Sequence, residues 1–119
     1  MTKEIKIGTG GSAETAKGFV DAWKREEGGS EAGSEYWLHF ENLETLLKTL
    51  TPGRWRLLRT LRTNGPMSVR ALAVGLGRDY KNVHTDVRKL EQIGLISRTG
   101  YDKIEVPWEI VEARLSLAA

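Results

Sequence analysis

Apolar residues in the C-terminal half of the chain recur at the spacing of a helix. In the stretch "GRDYKNVHTDVRKLEQIGLI" (77–96), Val83, Val87 and Leu90 follow one another at steps of four and three residues. At about 100° per residue these side chains form one stripe, which predicts a helix with one buried face. The opposite face carries polar and cationic side chains, with an imidazole on its flank: Lys81, Thr85, Arg88, Gln92 and His84.

Two helices are predicted before this one. The first, "PGRWRLLRTLRT", begins with Thr51 as its cap and Pro52 in its first turn, and it stops at the turn "NGP" (64–66). Ser68 caps the second, "SVRALAVGL", and Gly77 closes it. The apolar residues of the second helix point to one side: Val69, Leu72, Ala73 and Leu76.

A hairpin and a tail follow the third helix. "LISRTGYDKIEV" (95–106) predicts two strands around the turn "TGYD", and Pro107 ends the second strand. In the tail "WEIVEARLSLAA" (108–119), apolar residues alternate with polar ones, which favours a strand. Ile110, Arg114 and Leu117 would suit a helix nearly as well; we expect the strand.

The N-terminal part is predicted to alternate strands and helices. "KEIKI" (3–7) alternates as a strand before the break "GTGG", and Ser12 caps a helix over 12–27. A Gly/Ser-rich connection (28–34) leads to a strand-like segment (35–40) and a helical one, which reaches residue 50.

These elements predict an α+β protein. Three helices, a Gly-marked turn and a hairpin over residues 51–107 are typical of a winged helix-turn-helix, in which the hairpin is the two-stranded wing. Residues 1–50 form a strand-helix-strand-helix extension, which we expect to dimerise or to bind a partner. The strand-like tail, 108–119, is expected to pack or to dimerise.

Charge is divided unevenly along the chain. Residues 1–50 hold six Lys and Arg against nine Asp and Glu, whereas residues 51–119 hold twelve against seven. The net charges of −3 and +5 indicate a polyanionic partner for the C-terminal part. The chain has no cysteine, no apolar run of the roughly 20 residues that span a membrane, and no signal peptide, so we expect a cytoplasmic protein without membrane contact.

The free face of the third helix is a candidate DNA-binding surface. We expect Lys81, His84, Thr85 and Arg88 to meet base edges in a major groove, since a helix of this width fits there. Arg98 and Lys103 lie near the hairpin tip, where we expect them to meet phosphates. We expect Ser68 and the first amides of the second helix to bind a further phosphate.

The segment "LTPGRWRLLRTLRTNGPMSVRALAVGLGRDYKNVHTDVRKLEQIGLI" resembles winged-helix regulators related to the MarR and ArsR families. It is more similar to a group of predicted bacterial and archaeal transcriptional regulators with the patterns "LTPxRxxLL", "LSxxxLAxxLGRDxKNVxxDVxxLExxGL" and "VP". The resemblance covers roughly residues 36–110, and "GRDYKNVHTDV" is its most specific part. It implies a homodimeric DNA-binding regulator and supports, as residues that face DNA, Arg78, Lys81, Asn82, His84 and Arg88. Some relatives look like antitoxins encoded beside a toxin, which makes neutralisation of a toxin partner the alternative function.

One motif points elsewhere. In "IKIGTGGSA", Gly8, Gly10 and Ala13 satisfy the dinucleotide fingerprint G-x-G-x-x-G/A, and Glu41 ends the next strand, where a ribose-binding acid is expected. After Glu41, however, the chain turns helical and basic, which leaves no further parallel strand for a nucleotide crevice. We therefore interpret the glycines as a tight strand–turn–helix reversal and expect no cofactor.

Metal and catalytic sites are not indicated. His39 and His84 are the only histidines, and no cysteine or G-x-S-x-G motif accompanies them, so we expect neither a metal nor an enzyme. Arg54 lies within the apolar arc of its helix and needs a carboxylate partner, unless it reaches past the core edge into water. Asp86 is the first choice for that partner and Glu44 the second.

Overall fold

A computed structural model describes residues 3–9 and 35–115 of the chain. The elements along these residues are β1 (Glu4–Thr9), β2 (Glu35–Phe40), α1 (Leu43–Thr49), α2 (Pro52–Asn64), α3 (Val69–Leu76), α4 (Tyr80–Gln92), β3 (Ser97–Thr99), β4 (Lys103–Glu105) and β5 (Ile110–Arg114). They form two compact units: a sheet unit that contains residues 3–9, 35–49 and 110–115, and a helical unit that spans 50–109. Within the described ranges, no helix combines the length and the apolar character that a membrane crossing requires.

The sheet unit is built on three parallel strands in the order β2-β1-β5. Central strand β1 is covered on both faces, because Ile5 and Ile7 on one side and Lys6 on the other are all at most 2% exposed. The Lys6 ammonium lies 5.2 Å from the centre of the Trp37 ring, so a cation–π contact accompanies its burial. The alternation of "KEIKI" thus produces a strand as predicted, and the tail forms strand β5 rather than a helix.

The parallel pairing of β5 with β1 overturns one step of the sequence argument. We expected no further parallel strand after Glu41, and this is wrong: Glu4 is in register with Ile110, and Gly8 with Arg114. Alternation of apolar and polar residues indicates that a segment is extended, but it does not indicate which distant strand the segment pairs with. The sequence of the tail alone therefore could not reveal that β5 pairs with β1. The lack of a further parallel strand is therefore no argument against a nucleotide crevice. Gly10 and Ala13 lie outside the described residues, and so do the helix expected over 12–27 and the connection 28–34.

Helices α2 and α3 of the helical unit begin at side-chain caps, and α3 ends at a left-handed glycine. Thr51 accepts a hydrogen bond from the Arg54 amide at 3.3 Å, and Ser68 accepts one from the Ala71 amide at 3.1 Å. Gly77 closes α3 in the left-handed conformation, with φ +65°. Three of the predicted caps are thereby confirmed.

The core of the helical unit joins all three of its helices to the hairpin. Its side chains without exposed surface are Leu57, Leu61, Leu72, Val83, Val87, Leu90, Leu95 and Ile104. Strands β3 and β4 pair antiparallel, and Ile104 of β4 also bridges to Met67 before α3. Three helices followed by an antiparallel hairpin are compatible with the predicted winged helix-turn-helix, and the α+β class is confirmed.

Asp86 joins three segments of the helical unit through its carboxylate. Its Oδ1 accepts a hydrogen bond from Arg54 Nε at 3.1 Å, which confirms the first-choice partner of that arginine. Its Oδ2 accepts one from Arg78 Nη2 at 2.9 Å. One carboxylate on α4 therefore fastens α2 and the turn that follows α3.

Gly75 inside α3 and Gly77 just after it provide a matched test of these backbone conformations. A Cβ at Gly77 would meet no atom within 4 Å, so only its left-handed φ of +65° opposes a side chain. Gly75 also has open space around it but lies inside the helix. We expect Gly77→Ala to lower the free energy of unfolding by about 1 kcal/mol and Gly75→Ala to raise it by about 0.5 kcal/mol. Urea denaturation of both variants measures the difference, and equal effects would contradict the assigned helix end.

Candidate nucleic-acid interface

Helix α4 has one face in the core and one in solvent. Val83, Val87 and Leu90 have no exposed surface, as their spacing predicted. The helix begins at a cap that the sequence analysis overlooked: Asp79 Oδ2 accepts hydrogen bonds from the amides of Lys81 at 3.1 Å and Asn82 at 3.3 Å. This cap fixes the first turn, and with it the direction in which the outer face projects.

Helix α4 carries the four residues predicted to meet base edges and Asn82, which the resemblance adds as a residue that faces DNA. Lys81, Asn82, Thr85 and Arg88 are exposed, and His84 is half-buried. The Thr85 hydroxyl donates to the Lys81 carbonyl at 3.0 Å, which leaves its oxygen as an acceptor toward solvent. Arg88 has no ion pair in the described part of the chain, so its fork of donors is available to an outside acceptor.

A groove of about 250 Å³ lies beside this face, between the start of α3, the first turns of α4 and the hairpin. It is lined by Ser68, Val69, Arg70, Tyr80, His84, Arg98 and Asp102. The structure thus brings together three predicted residues, Ser68, His84 and Arg98. The other predicted residues are not part of its lining: Arg78, Lys81, Asn82, Thr85, Arg88 and Lys103.

Four lining residues were not predicted as site residues, and two of them, Arg70 and Tyr80, contact each other. The Arg70 guanidinium lies 5.0 Å from the centre of the Tyr80 ring, and that ring lies 5.8 Å from the His84 ring at an angle of 36°. Tyr80 and His84 are four residues apart on one helix, and this spacing was a usable signal for their contact. Arg70 gave no such signal, because only the packing of α3 against α4 brings it to the aromatic ring.

The cationic side chains around the groove differ in whether a carboxylate of the chain binds them. Arg98 is held by Glu91, with Nε 3.1 Å and Nη2 3.3 Å from the two carboxylate oxygens. Exposed Lys103 has no ion pair among the described residues. Asp102, whose φ is +58°, adds one carboxylate to the lining. Lys103 therefore offers an unshared charge to an incoming anion, whereas Arg98 shares its own.

Arg78 differs from the other residues predicted to contact DNA in that part of its guanidinium is buried. Its Nη2 is bound to Asp86 and its Nη1 is buried, while 34% of the side chain remains exposed. The guanidinium is thus turned toward the helix packing. Contact of Arg78 with DNA stays a prediction. The structure shows instead a contact of Arg78 with Asp86, which the sequence did not predict.

The helical unit is cationic as a whole, and one of its surfaces gathers side chains from several elements. Residues 50–109 contain eleven Lys and Arg against six Asp and Glu, a net charge of +5. A larger depression of about 540 Å³ runs along α2 and includes Arg56 and Arg59, but only residues of that one helix line it. Groups from several elements converge at the groove beside α4, and we therefore place the candidate interface there.

Comparison with known proteins places the chain in a family. No curated protein matches it significantly. A crystal structure of a "possible transcriptional regulatory protein (fragment 1-100)" from Mycobacterium bovis is similar at 21% identity, covers 54% of this chain and 80% of that chain, and has a TM-score of 0.42, which is too low to carry an argument. The resemblance to MarR and ArsR regulators stays a prediction. The sequence profile of the HVO_A0114 family matches residues 49–113, more than half of the chain, and the protein therefore belongs to the HVO_A0114 family.

Proposed function

We propose that the protein is a transcriptional regulator that binds specific sequences of double-stranded DNA as a homodimer. The observation that carries the proposal is the division of α4 into two faces. Val83, Val87 and Leu90 hold the helix in the core, while Lys81 and Arg88 project outward from a net cationic unit.

Helix α4 is the element that would enter the major groove. A helix with its side chains is about 10–12 Å wide, and the major groove of B-DNA is about 12 Å wide. Arg88 would donate two hydrogen bonds to guanine O6 and N7, while Lys81, Asn82 and Thr85 offer donors and acceptors to the neighbouring base edges. His84 contributes from the flank of the helix.

The groove beside α4 would seat the DNA backbone. Ser68 starts α3 there, and Arg70 and Arg98 line the same space, so hydroxyl, amide and guanidinium donors meet at one place. Lys103 would reach a neighbouring phosphate from the hairpin. Such contacts set the register of the protein on DNA but carry no sequence information.

A homodimer would present two copies of α4. In a palindromic site, we expect half-sites centred about 34–36 Å apart, one helical turn of DNA, or at a multiple of that distance. Neutralisation of a toxin, the alternative function, rests on the sequence resemblance alone, and we do not extend the proposal to it.

Selection from random duplex DNA tests the proposed function directly. The full chain is expected to enrich a palindromic sequence and to bind it at least a thousandfold more tightly than a scrambled duplex at physiological salt. A scrambled duplex of identical length and composition is the control. If no sequence were enriched and both duplexes bound alike, specific regulation would be excluded.

A further inference from the structure

The outer edge of strand β5 is open in the part of the sheet that the structure describes. Strand β5 pairs with β1 on one side, and it is the last strand in the order β2-β1-β5. Ile110 is 41% exposed and Leu115 is 43% exposed, and Ala113 between them is exposed too. An edge of this kind presents unpaired backbone donors and acceptors to any strand that can join it.

The direction of each backbone group along β5 follows from one hydrogen bond. The amide of Ile110 donates to the Lys3 carbonyl at 3.4 Å, so the amide and carbonyl of Ile110 face β1. Because these groups alternate along a strand, Glu112 and Arg114 also direct theirs to β1. Val111 and Ala113 direct theirs to the open edge, and Leu115, one residue beyond the strand, takes the same side once pairing extends β5.

We propose that β5 pairs antiparallel with β5 of a second copy of the chain, about a twofold axis at Ala113. This inference rests on the proposed function in one respect: it assumes that the protein is a homodimer. In this register, Val111 opposes Leu115 of the partner subunit, and Ala113 opposes its own counterpart. All three residues are those whose backbone groups face outward, so each opposed pair can exchange two hydrogen bonds.

Charge complementarity selects this register. Glu112 opposes Arg114 of the partner subunit, and the same pair forms a second time across the axis. These are non-hydrogen-bonded pairs, in which opposed side chains are closest and opposite charges are favourable. An axis one residue earlier would instead set two Glu112 carboxylates against each other, which is unfavourable.

Apolar surface supports the same arrangement. Val111 is in register with Ile5, and Ala113 with Ile7, so the two residues continue the buried apolar face of β1. Exposed Leu115 follows on that face and would be covered by Val111 of the partner subunit. The result is one six-stranded sheet in which both β5 edges are closed.

A charge swap tests the pairing in the full chain. Arg114→Glu and Glu112→Arg each place like charges across the axis, so each single variant is expected to be monomeric by light scattering. The double variant E112R/R114E restores opposite charges and is expected to be a dimer, like the unchanged protein. Single variants that remain dimeric, or an unchanged protein that is monomeric at micromolar concentration, would overturn the proposal.

A cross-link keeps the test independent of any loss of folding. The chain contains no cysteine, so Ala113→Cys introduces one thiol per subunit, and two thiols at the axis would lie on Cα atoms about 5.5 Å apart, within reach of a disulfide. We expect most of this variant to cross-link on mild oxidation. Ala71→Cys, at an exposed alanine of α3, is the matched control. Equal cross-linking of the two variants would overturn the proposed axis.

The dimer and the proposed function fail separately. A protein that dimerises through β5 but enriches no DNA sequence would refute the regulator and leave the dimer intact. A protein that enriches a sequence while Arg114→Glu stays dimeric would refute the β5 pairing alone.

Discussion

Replacement of Arg88 by alanine is expected to cost about 1–3 kcal/mol of binding free energy on the cognate duplex and to relax the preference at one base pair per half-site. The reason is geometric. Arg88 is exposed on α4 one turn beyond His84 and Thr85, and no carboxylate in the described part of the chain engages its guanidinium. It can therefore donate to both O6 and N7 of one guanine. In the major groove, no other base presents two adjacent acceptors.

Lys103→Ala is the matched control for this experiment. A phosphate contact is blind to sequence, so its loss should weaken all duplexes alike and reduce the slope of log affinity against log salt by about one unit. Arg98→Ala should act in the same direction but less strongly, because Glu91 already shares that charge. Titration of the variants against cognate and scrambled duplexes at several salt concentrations measures these effects. Equal losses for Arg88→Ala on both duplexes would assign Arg88 to the phosphates.

Asp86→Asn is expected to lower the free energy of unfolding by about 3 kcal/mol. The carboxylate is 17% exposed and serves two guanidinium groups, of which Arg54 is 15% exposed and Arg78 is 34% exposed. An amide of the same shape carries no negative charge, so the two partly buried arginines would lose the counter-charge that Asp86 gives them.

Glu91→Gln serves as the control for Asp86→Asn. Glu91 also binds an arginine through two hydrogen bonds, but its side chain is 32% exposed and that of Arg98 is 48% exposed. Water replaces most of such a contact, so we expect a loss below about 1 kcal/mol. Urea denaturation of both variants gives the comparison. A loss for Asp86→Asn as small as that for Glu91→Gln would show that the three-way contact contributes little to stability.

Local signals in the sequence predicted most of the helical unit. Thr51, Ser68 and Gly77 mark helix ends through interactions that span only a few residues, and the structure has these ends where they were predicted. The Arg54–Asp86 pair was also predictable, because a guanidinium within an apolar arc needs a carboxylate and few lie within reach.

Contacts between different elements were not predictable in the same way. The pairing of β5 with β1, the cation–π contact of Arg70 with Tyr80 and the Glu91–Arg98 pair all depend on how elements pack. Periodicity assigns a residue to a face of its own element, but it does not say what that face meets. The candidate interface was therefore predicted as a helix face, and its groove became visible only in three dimensions.

The position of β5 in the sheet also has a consequence for the order of folding. Glu4 and Ile110 are neighbours in space, yet the entire helical unit lies between them in the sequence. β1 is synthesised before that unit and β5 after it, so the two strands cannot meet until the unit has been made. If the helical unit folds first, it shortens the chain that must be closed and lowers the entropic cost of the encounter. We therefore expect the sheet to form late and slowly, after the helices have reached their native state.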